Sequence, residues 1–392
     1  MSNVSGLSLG NDTETIFFLT EGTSTFSMIV STDRERRVNR NFLPWNNPKN
    51  VVSAETRDDV LFVIDCILCP LLTVWGVTGN LMSLAVLLHH NMRGAVDVCL
   101  ASLAVSDSLF LVTTMIRRAR SIIAKFDYLA AEWYNARLFN SMFYLNLVFS
   151  RVSTLLTILI TLNRFIAVVF PLKAKSWCTR HRMLWAVAGI YVSCILVILP
   201  TSLYYEVAEV YDSNLNATKP YLARSALYIA NHGFMLAYSR SFLTITFRYI
   251  PAVVILVLNT TIVVTIKRTS ELRLKMSEGR VTRMLLVISL IFLVCLIPGC
   301  AILLGSTLNV HFQFMNTYHN LFMMLSGIAL LCEVVNSSVN FIVYMALSKT
   351  FSATYRKLFC CFCKSFPKKN LSKTSEVYTV DTHASSSISR VS

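Results

Sequence analysis

Seven long apolar segments divide the sequence and limit what the chain can fold into. A helix needs about 20 consecutive, mostly apolar residues to cross the hydrocarbon core of a bilayer. Segments of this kind lie at residues 60–88, 98–115, 138–169, 184–203, 242–266, 284–304 and 322–347. Charged residues make up only 15% of the chain, against about 25% in soluble domains. The sequence therefore predicts an all-α membrane protein, a seven-transmembrane helix bundle.

The basic residues indicate the side of the membrane on which each end of the chain lies. Most Lys and Arg lie between the apolar segments and in the carboxy-terminal region, as in cytoplasmic loops. This distribution, rather than nucleic acid binding, explains the formal charge of +15. With the amino terminus outside, the glycosylation sequons at Asn3, Asn11 and Asn216 are extracellular. One set of basic residues opposes this orientation, because it too would lie outside: Arg117, Arg118, Arg120, Lys125 and Arg137.

The chain divides into four parts. Residues 1–59 are polar and are predicted to form a flexible extracellular segment before the bundle at 60–347. Residues 348–363 place apolar residues at helical spacing with basic residues opposite, which predicts a short amphipathic helix on the cytoplasmic membrane lipids. Residues 364–392 are rich in Ser and Thr and are predicted to be disordered. Cys360, Cys361 and Cys363 are candidate palmitoylation sites, the alternative being unmodified thiols.

Polar side chains inside the apolar segments are costly in a bilayer and mark candidate functional sites. Asp107 lies in the middle of the second segment without a neighbouring charge, and Ser153 lies in the third. In the seventh, Asn336 and Asn340 are four residues apart and share a helix face, with Ser337 between them. These residues could coordinate a small hard cation such as Na⁺. They could equally form a structural hydrogen-bond network between helices.

Arg164 lies at the last turn of the third segment, where apolar helix gives way to a basic loop. Glu278, just before the sixth segment, is its candidate partner at the inner face. A charge-assisted pair there would hold the third and sixth helices together, and breaking it would let them separate. Alternatively, Arg164 simply extends to the lipid headgroups.

Each apolar segment carries one short motif. In chain order these are Gly79-Asn80, LAVSD ending at Asp107, Asn163-Arg164-Phe165, Trp185, Pro251, FLVCLIP ending at Pro298, and NFIVY ending at Tyr344. Each motif is weak alone, but seven in this order are highly specific. Over about residues 60–363 the chain resembles the rhodopsin-like (class A) G-protein-coupled receptors.

The resemblance implies a multi-pass plasma-membrane receptor that activates a heterotrimeric G protein. Asp107 and its neighbours would form the family's sodium pocket, and an allosteric Na⁺ is the only cofactor implied. Arg164 would pair with Glu278 in the inactive state and contact the G protein in the active state. Ser and Thr residues within 374–392 are candidate sites for a receptor kinase and arrestin, the alternative being a solvated linker. The residues expected to move or repack on activation are Phe292, Pro298 and Tyr344.

Four positions depart from the family pattern. Asn163 replaces the acidic residue beside Arg164, which would raise basal activity, and Leu296 replaces a tryptophan in the sixth helix. Phe341 replaces a proline in the seventh helix, which should reduce the kink there. Phe139 replaces the cysteine at the start of the third helix, so the usual outer disulfide cannot form and the second outer loop is expected to be looser. A receptor-shaped protein that couples weakly or not at all is therefore an alternative.

The ligand class is narrowed by two further positions. Asn146 stands where amine receptors of this family need an aspartate, and Val334 stands where opsins need a lysine. The stretches RFIAVVFPLKAKSWCTRHR, PAVVILVLNTTIV and NSSVNFIVY resemble invertebrate FMRFamide-type neuropeptide receptors. The resemblance thus implies a neuropeptide ligand of the FMRFamide type.

An amidated Arg-Phe peptide needs a carboxylate for its arginine and aromatic walls for its phenylalanine. Besides Asn146, the candidate residues are Asp65, Glu206, Glu209, Asp212 and Glu333 as carboxylates and Phe143, Tyr144 and Tyr204 as aromatics. Arg151 and Arg248, both within apolar segments, argue against such a ligand. Either Glu333 neutralises them, or they receive an acidic group of the ligand. The second case predicts a small acidic or other non-peptide ligand, or an acidic peptide.

Other function classes lack their expected features. A channel needs a pore-lining series of polar residues, and many transporters show an internal repeat. Neither feature is evident, although a transporter or channel stays the alternative outside the receptor class. The enzyme motifs HExxH, GxxxxGK[ST] and GxSxG are absent from the sequence, so the chain is not expected to be an enzyme.

Overall fold

The seven apolar segments form seven helices, which confirms the predicted fold class. The structure is a computed structural model that describes residues 44–89, 94–212, 216–269 and 276–359, without the side chains of 269 and 276–280. The helices are long and apolar enough to cross a membrane. They are α1 Ala54–His89, α2 Ala95–Ile123, α3 Tyr128–Val169, α4 Arg180–Leu203, α5 His232–Arg268, α6 Met276–Leu308 and α7 His319–Leu347. Helix α8 spans Lys349–Phe359, where a short helix was predicted.

Several smaller elements lie before or between these helices. Short helices lie at Pro44–Asn46, Pro171–Trp177 and Ala226–Ala230. The predicted modification sites at Asn3, Asn11, Cys360, Cys361 and Cys363 lie outside the described residues. They stay predictions.

Several helices extend beyond the apolar segments because polar side chains cap their first turns. Helix α3 begins at Tyr128 rather than at residue 138, and Asp127 Oδ1 accepts a hydrogen bond of 3.0 Å from Ala130 N. At the start of α4, Thr179 Oγ1 accepts a hydrogen bond of 3.4 Å from Arg182 N. Such capped polar turns are stable parts of a helix, but a hydropathy window does not detect them.

Four of the five basic residues that opposed the predicted orientation lie on extensions of α2 and α3, and Lys125 lies between these two helices. Arg118 Nη1 lies 3.0 Å from Asp65 Oδ2, and Arg120 Nη2 lies 2.7 Å from Glu132 Oε1. Both carboxylates are buried. Charges that are paired inside a helix bundle are not the loop charges that the positive-inside rule counts. The objection to an outside amino terminus is therefore weaker than the sequence suggested.

Two helices contain a π-helical turn shortly before a proline. The turns are Val63–Leu68 in α1, before Pro70, and Ile245–Tyr249 in α5, before Pro251. Because proline has no N–H, the regular helical hydrogen-bond pattern is interrupted there and a wider turn can form. Each π turn carries a mostly buried charged side chain, Asp65 in α1 and Arg248 in α5. The prolines thus help to bring two charges into the bundle.

An unpredicted β-hairpin connects α4 to α5. Strand β1 (Tyr205–Asp212) pairs antiparallel with β2 (Ala217–Arg224), from Tyr205 opposite Arg224 to Asp212 opposite Ala217. Lys219 Nζ lies 2.8 Å from Asp212 Oδ2, and their side chains are only 4% and 3% exposed. The hairpin therefore has a buried ion pair near the end where its two strands are joined.

Aromatic contacts attach the hairpin to α3 near the position where the family has a disulfide. The ring of Phe139 lies edge-on to Tyr205, 5.4 Å between centroids, and stacks on Phe143 at 5.6 Å. Asn140 Nδ2 also donates a hydrogen bond to the Tyr205 carbonyl. Cysteines within the described residues are free thiols. The loop that was expected to be looser is thus a folded hairpin held by noncovalent contacts.

Helix α7 is interrupted at Val339, although Phe341 replaces the family's proline. Val339 has φ −93° and ψ −10°, and its N–H still donates to Val335 O at 3.2 Å. Asn80 Nδ2 donates to the Ser337 carbonyl at 3.0 Å. A side chain that bonds to a helix carbonyl is one recognised cause of local bending. The helix therefore departs from regular geometry at Val339 without a proline, while the Val339 N–H stays hydrogen-bonded. The reduced kink stays a prediction.

Candidate functional site

Asp107 of α2 is fully buried and accepts three hydrogen bonds. Ser153 Oγ of α3 and Ser337 Oγ of α7 donate to its Oδ1 at 2.7 and 3.0 Å. Asn340 Nδ2, also of α7, donates to Oδ2 at 2.7 Å. One carboxylate thus joins three helices. The structure brings together every residue predicted for the sodium pocket except Asn336.

Asn336 lies beside this network rather than in it. It lines a cavity of about 30 Å³ together with Ser153 and Ser337. A cavity needs roughly 10–15 Å³ to hold one water molecule, so there is room for a bare small ion beside the network. Carboxylate, hydroxyl and amide oxygens suit a hard cation. The donor set fits Na⁺, and the same side chains form the structural network that was the alternative interpretation.

A second polar cluster joins α5 to α7. Arg248 Nη2 lies 2.6 Å from Glu333 Oε1, and the two side chains are 15% and 20% exposed. Arg151 of α3 lines the 30 Å³ cavity with Glu333 and a larger cavity with Arg248. The sequence left open whether Glu333 binds the ligand or pairs with a basic residue of the chain itself. In the structure it pairs with Arg248.

The larger cavity has a volume of about 200 Å³ and lies between α3, α4, α5 and α6. Arg151 and Arg248 contribute its charges, and two of the predicted aromatic residues, Phe143 and Tyr204, contribute to its walls. Burial raises the pKa of the Tyr204 phenol to about 12, so this hydroxyl stays protonated at neutral pH. The cavity therefore combines two cationic groups with aromatic and aliphatic walls.

Three other predicted ligand residues are engaged inside the protein. Asn146 accepts a hydrogen bond of 3.0 Å from Arg117 Nη1 and donates one of 2.7 Å to Thr114 Oγ1. It thereby joins α3 to α2. Asp65 and Asp212 belong to the ion pairs described above. None of the three lines either cavity described here.

The remaining candidates lie at the end of the bundle that carries the hairpin. Glu206 and Glu209 are exposed on β1. Tyr144 Oη donates to the Ile195 carbonyl of α4 at 3.0 Å, so its hydroxyl connects two helices. The two glutamates are the predicted carboxylates that are accessible to a ligand at this end.

Arg164 lies near the other end of α3, far along the helix from the hairpin. It is half-buried, and its neighbour Asn163 is buried with Nδ2 donating to Met183 Sδ at 3.5 Å. Asn163, which stands where the family has a carboxylate, thus ties α3 to α4. The Glu278 side chain lies outside the described residues, so the Arg164–Glu278 pair stays a prediction.

The residues expected to repack on activation are buried at helix contacts. Phe292 packs against Leu296 in a buried cluster between α5 and α6, with Pro298 inside α6 just beyond. Tyr344 of α7 lies 5.4 Å from the ring of Phe351 in α8, and its hydroxyl has no hydrogen-bond partner among the described residues. A buried hydroxyl without a partner is costly, so a rearrangement that supplies one would be favoured.

Gly299 is a residue that sequence patterns did not single out. A Cβ atom at this position would overlap Arg248 Nη1, so the glycine makes room for the guanidinium. The only local signal is a glycine that directly follows Pro298 in an apolar helix. Its importance depends on an arginine of another helix, and sequence spacing cannot show that contact.

Comparisons with known proteins agree with the motifs on these helices. The family model "7 transmembrane receptor (rhodopsin family)" matches residues 79–344. The FMRFamide receptor of Drosophila melanogaster is 24% identical over 310 residues, covering 75% of this chain and 53% of that protein. The allatostatin-A receptor of Bombyx mori is 27% identical over 296 residues, covering 73% and 76%. The somatostatin receptor type 5 of Rattus norvegicus is 24% identical over 292 residues, covering 73% and 74%.

The match therefore spans only about half the length of the Drosophila protein. The family match on this chain nevertheless includes the five complete helices α2 to α6, most of α7, the Asp107 network and Arg164. The predicted resemblance is confirmed: the chain belongs to the rhodopsin family of seven-transmembrane receptors, and it is a membrane receptor rather than an enzyme.

Proposed function

We propose that the chain is a plasma-membrane receptor for an extracellular peptide and that it activates a heterotrimeric G protein. The observation that carries the ligand class is the similarity to receptors named for FMRFamide, allatostatin A and somatostatin, all of which are peptides. The amino terminus and the hairpin lie outside, and Arg164 lies at the cytoplasmic end of α3. This orientation agrees with the loop charges.

The peptide enters at the hairpin end. An amidated Arg-Phe peptide would place its arginine near the exposed Glu206 and Glu209, since Glu333 is already paired with Arg248. Phe143 and Tyr204 offer aromatic surface in the cavity below. This arrangement supports a peptide that binds partly on the hairpin and partly between the helices.

Activation proceeds through the buried clusters of α6 and α7. Ligand binding shifts the balance between two packings, because it favours the one with which it makes more contacts. Repacking of Phe292 and Tyr344 lets the cytoplasmic part of α6 move outward around Pro298. The cleft that opens exposes Arg164 to the carboxy terminus of the G protein.

Arg164→Ala tests the proposed function. The variant is expected to reduce the maximal G-protein response to an active peptide by at least about tenfold, the equivalent of ~1.4 kcal/mol, because Arg164 contacts the G protein. The measurement is G-protein activation in cells exposed to a panel of peptides, each made as the amide and as the free acid, that includes FMRFamide. Arg137→Ala, an exposed arginine near the other end of α3, is the matched control. If the response of the wild-type chain is retained in Arg164→Ala, Arg164 does not have the proposed role in G-protein coupling. If no peptide of the panel gives a response although the receptor reaches the cell surface, the chain is not a receptor for such peptides.

Na⁺ binding at Asp107 is a second expected property. Replacing choline chloride by NaCl should raise the Tm of the purified wild-type chain by several degrees, since a ligand of the folded state stabilises it. Asp107→Asn removes the charge and should abolish the difference. Ser108→Ala serves as control, because within the described part of the chain Ser108 Oγ bonds only to the Ala104 carbonyl. Equal Tm values for the wild type in the two salts would mean that the cluster is a structural network without Na⁺.

The modification sites and remaining partners complete the proposal. Asn216 is exposed beside β2, which supports glycosylation at that sequon. Palmitoylation at Cys360, Cys361 or Cys363 would anchor the segment after α8 to membrane lipids. Phosphorylation of the Ser and Thr residues within 374–392 by a receptor kinase would recruit arrestin.

A further inference from the structure

The cluster around Glu333 contains more positive than negative charge. Arg151 lines both cavities and Arg248 lines the larger one, whereas Glu333, which lines the smaller one, is the single carboxylate among the lining residues. A charge in a low-dielectric interior is costly unless it is paired. One carboxylate cannot fully compensate two guanidinium groups. The site therefore favours a further negative charge.

The two arginines also have unused hydrogen-bond donors. Arg248 donates through Nη2 to Glu333, while its buried Nη1 has no partner among the described residues. Arg151 makes no hydrogen bond or ion pair with a residue of the described ranges. A guanidinium is a planar fork of donors that matches the two oxygens of a carboxylate. Both the charge and the donors are suited to an anion of that shape.

The cavity beside these arginines can hold the body of such an anion. Its volume of about 200 Å³ exceeds the ~150 Å³ of an engineered apolar cavity that binds benzene. Phe143, Leu147, Leu243, Phe247 and Leu303 supply apolar surface. An aromatic or aliphatic group that ends in a carboxylate fits this combination.

We infer that the ligand presents a carboxylate on an apolar group to Arg151 and Arg248. The inference rests on the proposed function for the source of that carboxylate, which on a peptide is an acidic side chain or a free carboxy terminus. A carboxy-terminal amide cannot supply the charge. The geometry thus narrows the ligand to peptides that carry a negative group in the part that enters the bundle.

A binding measurement tests the site without any assumption about signalling. The probes are 3-phenylpropanoate and its neutral counterpart 3-phenylpropanamide, added at millimolar concentration to the purified full chain. The carboxylate is expected to raise Tm by about 2–4 °C, and the amide is expected to have no effect. Arg151→Gln should abolish the rise. Arg240→Gln should keep it, because Arg240 also lies on α5 but bonds to Gln313 and lines neither cavity.

The Tm measurement can either support or overturn the inferred carboxylate site. No rise with the carboxylate, an equal rise with the amide, or a rise that survives Arg151→Gln would overturn it. If Arg151→Gln does not fold, Arg151→Lys keeps the charge without the fork, and a rise reduced by at least half would support the site. An undiminished rise in that variant would count against it.

A second arm identifies the source of the carboxylate. Each peptide of a panel is made as the amide and as the free acid, and with acidic side chains replaced by Asn or Gln. If G-protein activation requires the free carboxy terminus, that carboxylate is the group that binds Arg151. If activation requires an acidic side chain, the side-chain carboxylate is that group. Activation by peptides that lack both would overturn the inference while leaving the peptide receptor intact. A positive Tm result with silence in cells would instead leave the carboxylate site standing and contradict the proposed function.

Discussion

Glu333→Leu is expected to be among the most damaging single substitutions in the bundle. It leaves Arg248, whose side chain is only 15% exposed, without its carboxylate. Removing one partner of a buried ion pair typically costs about 3–5 kcal/mol, because the remaining charge stays in a poorly solvating interior. Arg151, which lines the same cavity as Glu333, loses its nearby negative charge as well. The Tm of the purified chain should fall by roughly 10 °C, with less receptor at the cell surface.

A double substitution separates the ion pair from the general effect of changing this position. Arg248→Met combined with Glu333→Leu removes both charges and fills similar volume, so most of the lost stability should return. Glu206→Leu, on the exposed face of β1, should leave Tm nearly unchanged. If the double variant is as unstable as Glu333→Leu, shape complementarity rather than charge pairing makes Glu333 important.

Asp212→Ala is expected to open the hairpin without unfolding the helices. The Lys219 side chain is only 4% exposed, and its ammonium loses a carboxylate at 2.8 Å. The same cost of about 3–5 kcal/mol applies, but here it falls on a peripheral element that can open by itself. Hydrogen exchange of the β1 and β2 amides should accelerate by at least about 100-fold, while the α3 core keeps its protection.

Two further variants show whether the ion pair between Asp212 and Lys219 is responsible for slow hydrogen exchange in the hairpin. Glu209→Ala changes an exposed carboxylate of the same strand and should leave exchange in the hairpin unaltered. Asp212→Leu with Lys219→Met replaces the buried pair by apolar side chains and should restore slow exchange. Unchanged exchange in Asp212→Ala would mean that the aromatic contact between Phe139 and Tyr205 holds the hairpin by itself.

The seven helices and the Asp107 network were predictable because each depends on one simple signal. Apolar length identifies the spans, and a carboxylate in such a span must find donors on neighbouring helices. Ser153, Ser337 and Asn340 are the donors that it finds. The family resemblance assigned the same residues to one site.

Features that depend on contacts between distant segments were less predictable. The pairing of Glu333 with Arg248 was left open, since helix rotation decides whether two intramembrane charges meet. A π turn sets that rotation near Arg248, and Pro251 was its only local signal. The hairpin was missed because its strands alternate poorly and its ion pair is seven residues apart in the chain.

The attachment of the hairpin to α3 makes this end of the receptor independent of oxidation state. Where a disulfide fixes such a loop, a reducing agent can release it and an oxidising compartment is needed to form it. Here Phe139, Asn140 and Tyr205 make the attachment without sulfur. It can therefore form before or after the chain reaches an oxidising environment, and it can open and close reversibly within the lifetime of the folded protein. In the proposed binding mode, access of the peptide at the hairpin end would then depend on temperature and ligand rather than on redox chemistry.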